Sequence, residues 1–106
     1  MKINIKTKNL ELTDPLRVYV EEKIGALKRY LKRYEEDRNV IVDVEVSRPS
    51  KHHNKGDVYY AEINLDLREE LLRVSVEDHD ARLAISQAKD KMQRAIIDYK
   101  EKHEHE

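Results

Sequence analysis

Ten cationic side chains in two segments are the residues of this sequence best placed to do chemistry. Lys23, Lys28, Arg29, Lys32 and Arg33 follow one another with no acid between them. Arg82, Lys89, Lys91, Arg94 and Lys100 are spread along a later segment. The chemistry open to them is charge neutralisation. Lys and Arg that contact phosphates release counterions, which gives sequence-independent affinity for a nucleic-acid backbone. Cations near a helix C-terminus also suit the helix dipole, so Lys23 to Arg33 has a structural explanation as well. Five cations without one acid exceed what the dipole requires. Tyr19 and Tyr30 lie beside the first group. Each is able to stack on a base, and packing against a sheet is the competing role.

Other chemistries find little in the sequence. There is no Cys, which excludes disulfides and thiolate metal sites. His52 and His53 are adjacent, His79 is isolated, and His103 and His105 are near the end. None forms a helical i, i+4 pair with a carboxylate, so no metal site is expected. Ser47, Ser50, Ser75 and Ser86 sit in no nucleophile-elbow pattern. Two Gly in 106 residues leave no room for a Gly-rich phosphate loop. No catalytic residue, cofactor or small-molecule substrate is expected. No apolar run reaches the length of a membrane span and no signal-peptide region opens the chain, so the plain expectation is a cytoplasmic protein without membrane contact.

The elements that must position the cations follow from periodicity. Apolar residues at Ala81, Ile85, Ala88, Met92, Ala95, Ile96 and Tyr99 share one side of a long helix. Asp78 is its N-cap candidate, with Asp80 supplying charge for the dipole. At about 100° per residue, Arg82, Lys89 and Lys100 share one flank with Gln93 beside them, and Lys91 lies on the opposite flank. An earlier helix starts at Thr13-Asp14-Pro15. Its stripe of Leu16, Val20, Ile24, Leu27, Leu31 and Tyr34 predicts an unbroken helix to about Tyr34. Alternation predicts four strands: Met1–Thr7, Asn39–Val46, a third carrying Tyr59, Ala61, Ile63, Leu65 and Leu67, and Leu71–Val76. Ser47–Asp57 reads as a loop and Arg68-Glu69-Glu70 as a tight turn.

The expected class is α+β, in the order β-α-β-β-β-α. A helical crossover joins strands one and two and suggests a parallel pair; short connections make the rest an antiparallel meander. The result is a four-stranded mixed sheet with two helices packed on one face. Residues 1–100 form one domain, and residues 101–106 are expected to be a charged, disordered tail.

Charged residues make up 41% of the chain, yet the formal net charge is only -1. Electrostatic attraction to nucleic acid must therefore be local. The basic residues gather on the helices, whereas Asn39 to Glu77 holds eight Asp/Glu against five Lys/Arg. Such a helical face suits a phosphate backbone read by shape. The competing reading is a protein–protein regulatory module that works through an acidic sheet face carrying Asp43, Glu45, Glu62 and Asp66.

The sequence resembles the ribosome hibernation-promoting factor / ribosome-associated inhibitor family, also called sigma factor modulation proteins. The resemblance rests on I-N-I at Ile3 to Ile5, N-L-E-L-T-x-x-L-R-x-Y-V at Asn9 to Val20, and Lys23 followed by Leu27 and Tyr30-Leu31. It continues in E-D-x-D-A-x-x-A-I-x-x-A-x-D-K-M-x-R from Glu77 to Arg94. It implies a β-α-β-β-β-α domain similar to double-stranded-RNA-binding domains. It implies a protein that binds the small ribosomal subunit, through ribosomal RNA and nearby proteins, in the channel for mRNA and tRNA, and that keeps idle ribosomes inactive in stress or stationary phase. Lys23, Lys91, Arg94 and Lys100 match the family's basic helix positions. Arg82 stands where the family commonly has Tyr, Ser86 where it has Asp, and Ala26 where Lys is frequent. The length resembles the short form, which is expected to be monomeric away from the ribosome.

Overall fold

The computed structural model describes residues 1–36, 38–49, 58–67 and 69–104. Strand β1 is Lys2–Lys8, and helix α1 is Asp14–Gly25. A 3-10 segment, Ala26–Tyr30, leads to the single turn α2, Lys32–Glu35. Then come β2 (Ile41–Ser47), β3 (Tyr59–Asp66), β4 (Leu71–Asp78) and helix α3 (Ala81–Glu104). The sheet order is β1-β2-β3-β4, parallel between β1 and β2 and antiparallel elsewhere. The expected α+β class and strand pairing are thus observed.

Alternation produces the core. Val42, Val44, Val46, Ala61, Ile63 and Leu65 point from β2 and β3 towards the helices and are fully or almost fully buried. From α3 they meet Ile85, Ala88, Met92 and Ile96, and from the first helical region Val20, Ile24, Leu27 and Leu31. A Leu or Met truncated to Ala in such a core costs roughly 2–5 kcal/mol, so this packing fixes where both helices lie. β1 is stitched to β2 at both ends. Lys2 N donates to Val40 O at 2.8 Å, and Arg48 N donates to Lys8 O at 3.0 Å. Asn9 then turns the chain with φ 57, a left-handed conformation that Asn tolerates, and its amide donates to Arg48 O at 3.0 Å.

Several boundaries differ from the sequence reading. The predicted unbroken helix to Tyr34 is interrupted after Gly25. Leu31 N bonds Lys28 O at 3.0 Å, a three-residue step, and Leu31 has φ -115 and ψ 7. Gly weakens a helix interior, and the tighter segment still buries both Leu27 and Leu31, so packing favours the break. β4 extends to Asp78. The cap of α3 is Asp80: its carboxylate accepts from Arg82 N at 2.8 Å and Leu83 N at 3.2 Å, and its carbonyl accepts from Ala84 N at 2.9 Å. Asp78 instead accepts from Asp80 N at 3.0 Å and Gln87 Nε2 at 3.0 Å. The Asp80 bond, then the Gln87 bond, lower its carboxyl pKa.

The predicted tail is helical as far as Glu104, and His103 lies with its ring centroid 4.2 Å from that of Tyr99. The first helix is capped as expected, Thr13 Oγ1 accepting from Leu16 N at 3.3 Å. Residues 50–57, including His52 and His53, together with Arg68 and His105, lie outside the described residues.

Candidate nucleic-acid interface

α1 and α3 pack against each other, and Tyr19 makes the join between them. Its hydroxyl donates to Arg82 O at 3.2 Å, linking positions 63 residues apart. The Arg82 guanidinium carbon lies 4.9 Å from the ring centroid, and Lys23 Nζ lies 5.6 Å from the same centroid. One half-buried aromatic ring therefore holds a cation from each helix. An aromatic ring attracts cations through its quadrupole, by about 0.5–1 kcal/mol at exposed sites. A guanidinium held this way keeps its N–H edge for a phosphate.

The remaining predicted cations divide into groups. Lys28, Arg29, Lys32 and Arg33 are exposed on the 3-10 segment and α2. Arg29 lies 5.3 Å from the Tyr30 ring centroid. Lys89, on the same flank of α3 as Arg82, is half-buried; its ammonium donates to Gln93 Oε1 at 2.7 Å and lies 3.6 Å from Asp90 Oδ1. Lys100 is half-buried one turn beyond Ile96. Arg94 pairs with Asp98 at 3.4 Å along its own helix. Lys91 points to the other side, its ammonium 3.5 Å from Ser75 O of β4. The structure brings Lys23 and Arg82 together and turns Lys91 away from them.

Sequence reasoning treated Tyr19 as a stacking or packing residue and missed its role as a bridge. It also missed the apolar neighbours. Val18 and Leu83 are exposed, and Pro15, Val18 and Tyr19 line a shallow depression with Asp14, Glu22 and Arg82. The available signal was that Val18 and Leu83 fall off the apolar stripes of their helices.

The far sheet face is mixed rather than acidic. Charge counted over Asn39 to Glu77 alone omits β1, which brings Lys2, Lys6 and Lys8 to this face beside Ile41, Glu45 and Ser47 in register. Its polar groups also satisfy one another. Asn4 donates to Asp43 at 3.1 Å, and Arg73 Nε donates to Asn64 Oδ1 at 2.6 Å while lying 3.6 Å from Glu62. A hydrogen bond to Glu77, the largest influence, raises the Tyr60 hydroxyl pKa. Among the described residues, no His, Cys, Asp and Glu group is arranged to hold a metal ion, and no helix is long and apolar enough to cross a membrane.

These features define a small α+β domain, a mixed four-stranded sheet covered on one side by helices that carry a cationic surface. The family described as Sigma 54 modulation protein / S30EA ribosomal protein matches residues 3–104, and the chain belongs to that family. The Ribosome hibernation promotion factor of Bacillus subtilis is 33% identical over 102 residues, which are 96% of this chain and 50% of that protein. The protein of the same name from Staphylococcus aureus is 30% identical over 100 residues, 94% of this chain and 48% of its own length. The chain thus spans about half the length of the curated relatives it matches. The crystal structure of the Thermus thermophilus Protein Y N-terminal domain superposes with a TM-score of 0.73 at 34% identity, over 93% of this chain and 99% of that one. A ribosomal subunit interface protein from Coxiella burnetii gives a TM-score of 0.75 at 15% identity, over 94% and 98% of the two chains, a likeness of fold.

Proposed function

We propose that this chain is a ribosome hibernation factor. It binds the small ribosomal subunit, occupies the mRNA and tRNA channel, and holds translation inactive in stress or stationary phase. It works in the cytoplasm by occlusion rather than by catalysis. Family membership and the names of its relatives support a ribosomal partner. The observation that carries the mechanism is the pair Lys23 and Arg82, held on opposite helices by the Tyr19 ring. With Lys28, Arg29, Lys32 and Arg33 they form a surface suited to an RNA backbone. Lys91 and Arg94 are secondary in this reading: Lys91 points away from the Lys23 and Arg82 pair towards Ser75, and Arg94 is paired with the opposite charge of Asp98 on its own helix.

The test is co-sedimentation with ribosomes through sucrose gradients, across a salt series, with and without mRNA and tRNA. Binding to the small subunit should fall linearly on a log–log plot against salt and be displaced by mRNA or tRNA. Lys23→Glu with Arg82→Glu should reduce the salt slope by about 1 for each phosphate that is no longer neutralised. Absence from ribosome fractions at low and physiological salt overturns the proposal.

A further inference from the structure

The two edges of the sheet are protected differently. β1, at one edge, carries Lys2, Lys6 and Lys8 on the face away from the helices, and like charges discourage edge-to-edge pairing. β4, at the other edge, presents eight residues of strand with Arg73 and Glu77 on that same face. The Lys91 ammonium reaches Ser75 O from outside the sheet at 3.5 Å, so Ser75 turns its backbone groups outward. In an antiparallel ladder alternate residues do this, which makes Arg73, Ser75 and Glu77 the outward-facing set.

We propose that the β4 edge is a homotypic pairing site, joining antiparallel to β4 of a second copy about a two-fold axis at Ser75, and that Lys91 guards it. Only residues with outward backbone groups can face each other across such an axis as hydrogen-bonded pairs. An axis at Arg73 opposes two arginines, and one at Glu77 opposes two glutamates. An axis at Val74 sets Arg73 against Ser75. The axis at Ser75 sets each Arg73 against the other copy's Glu77, twice. On the helix-side face the same register sets Val74 against Val76, twice. Among the described residues, Arg73 meets Asn64 and Glu62 through Nε, which leaves its terminal nitrogens as donors on that side. A closed two-fold dimer follows, with one continuous eight-stranded sheet. At dimer formation Ser75 O must accept from the other Ser75 N–H, so the Lys91 ammonium has to leave. The same guard keeps the dilute chain monomeric.

Sedimentation velocity over a concentration series tests this on the whole chain without ribosomes, so its outcome is independent of the proposed function. Lys91→Ala should tighten self-association. Arg73→Glu or Glu77→Arg alone should weaken it about two- to thirtyfold, because both cross-strand pairs become repulsive, and the double exchange should restore it. Ser75→Pro removes only an outward N–H, so it should abolish the dimer while circular dichroism stays native. A chain that remains monomeric with Lys91→Ala at millimolar concentration overturns the proposal. So does a dimer that survives Ser75→Pro, or a series of open-ended oligomers, which would join β1 to β4.

Discussion

Replacing Tyr19 separates the two things its side chain does. Tyr19→Phe removes only the hydroxyl, which donates to Arg82 O at 3.2 Å in an exposed setting. A net hydrogen bond of this kind contributes about 0.5–1.5 kcal/mol, and exposure places it at the low end. Thermal unfolding should fall by a few degrees, since 1 kcal/mol shifts a domain of this size by roughly 4–8 °C. Both cations keep their ring, so ribosome binding should stay within about twofold of the original chain. Tyr19→Leu also removes the contacts at 4.9 and 5.6 Å, each about 0.5–1 kcal/mol. Arg82 and Lys23 must then be ordered at the moment of binding, at about 0.5–1.5 kcal/mol per side chain. Ordering both comes to about 1–3 kcal/mol, or roughly five- to 150-fold weaker binding. Equilibrium co-sedimentation measures the constant, and a urea titration confirms that the variant is folded at the assay temperature. If folded Tyr19→Leu binds as tightly as the original while Lys23→Glu with Arg82→Glu does not bind, the ring does not position these cations.

Gly25→Ala should stabilise the chain by about 0.4–1 kcal/mol, read from the urea midpoint, because the residue has helical angles of φ -57 and ψ -27 and an added Cβ meets nothing within 4 Å. Asp80→Ala should cost about 1 kcal/mol through loss of the α3 cap, and Asp78→Ala should cost less; the reverse order in thermal unfolding would show the cap to be misassigned. Glu35 pairs with the Met1 ammonium at 2.7 Å, and the hydrogen bond from that amine is the largest influence lowering its carboxyl below the usual 4.5. A depressed carboxyl stabilises the fold above its ordinary value and loses that contribution as pH falls through the folded-state value. The stability gap between the original chain and Glu35→Gln should therefore close as urea midpoints are followed from about pH 6 to about pH 3.

Strands were legible because a face that is buried must repeat every second residue. Val40, Val42, Val44 and Val46 announced both the strand and its inward side, and the opposed acids announced the other. The break after Gly25 was not legible. Ile24, Leu27, Leu31 and Tyr34 have spacings that fit a continuous helix, and only packing decides for the tighter turn. The α3 cap was ambiguous because Asp78 and Asp80 both precede the apolar stripe; one hydrogen-bonds the turn and the other the helix. The flanks of α3 were read correctly, including Lys91 opposite Lys89, since helical angle alone sets them. What no periodicity encodes is contact between distant segments. Tyr19 under Arg82, Lys91 over Ser75, and the lysines of β1 beside the acids of β2 depend on how the elements come together.

The parallel pairing of β1 with β2 has a consequence for the order in which the molecule assembles. β3 and β4 meet across five residues, Asp66 to Leu71, whereas β1 must find β2 across thirty-nine, Lys2 to Ile41. That is about three doublings of loop length, or roughly 2 kcal/mol more closure entropy. The hairpins and α3 should form first, with β1 and α1 docking onto them; pulse-labelled hydrogen exchange should show β3 and β4 amides protected before those of β1. Lys23 and Arg82 therefore meet only at the last step. The cationic pair is a product of completed folding, and a chain whose first strand and helix have not yet docked lacks it.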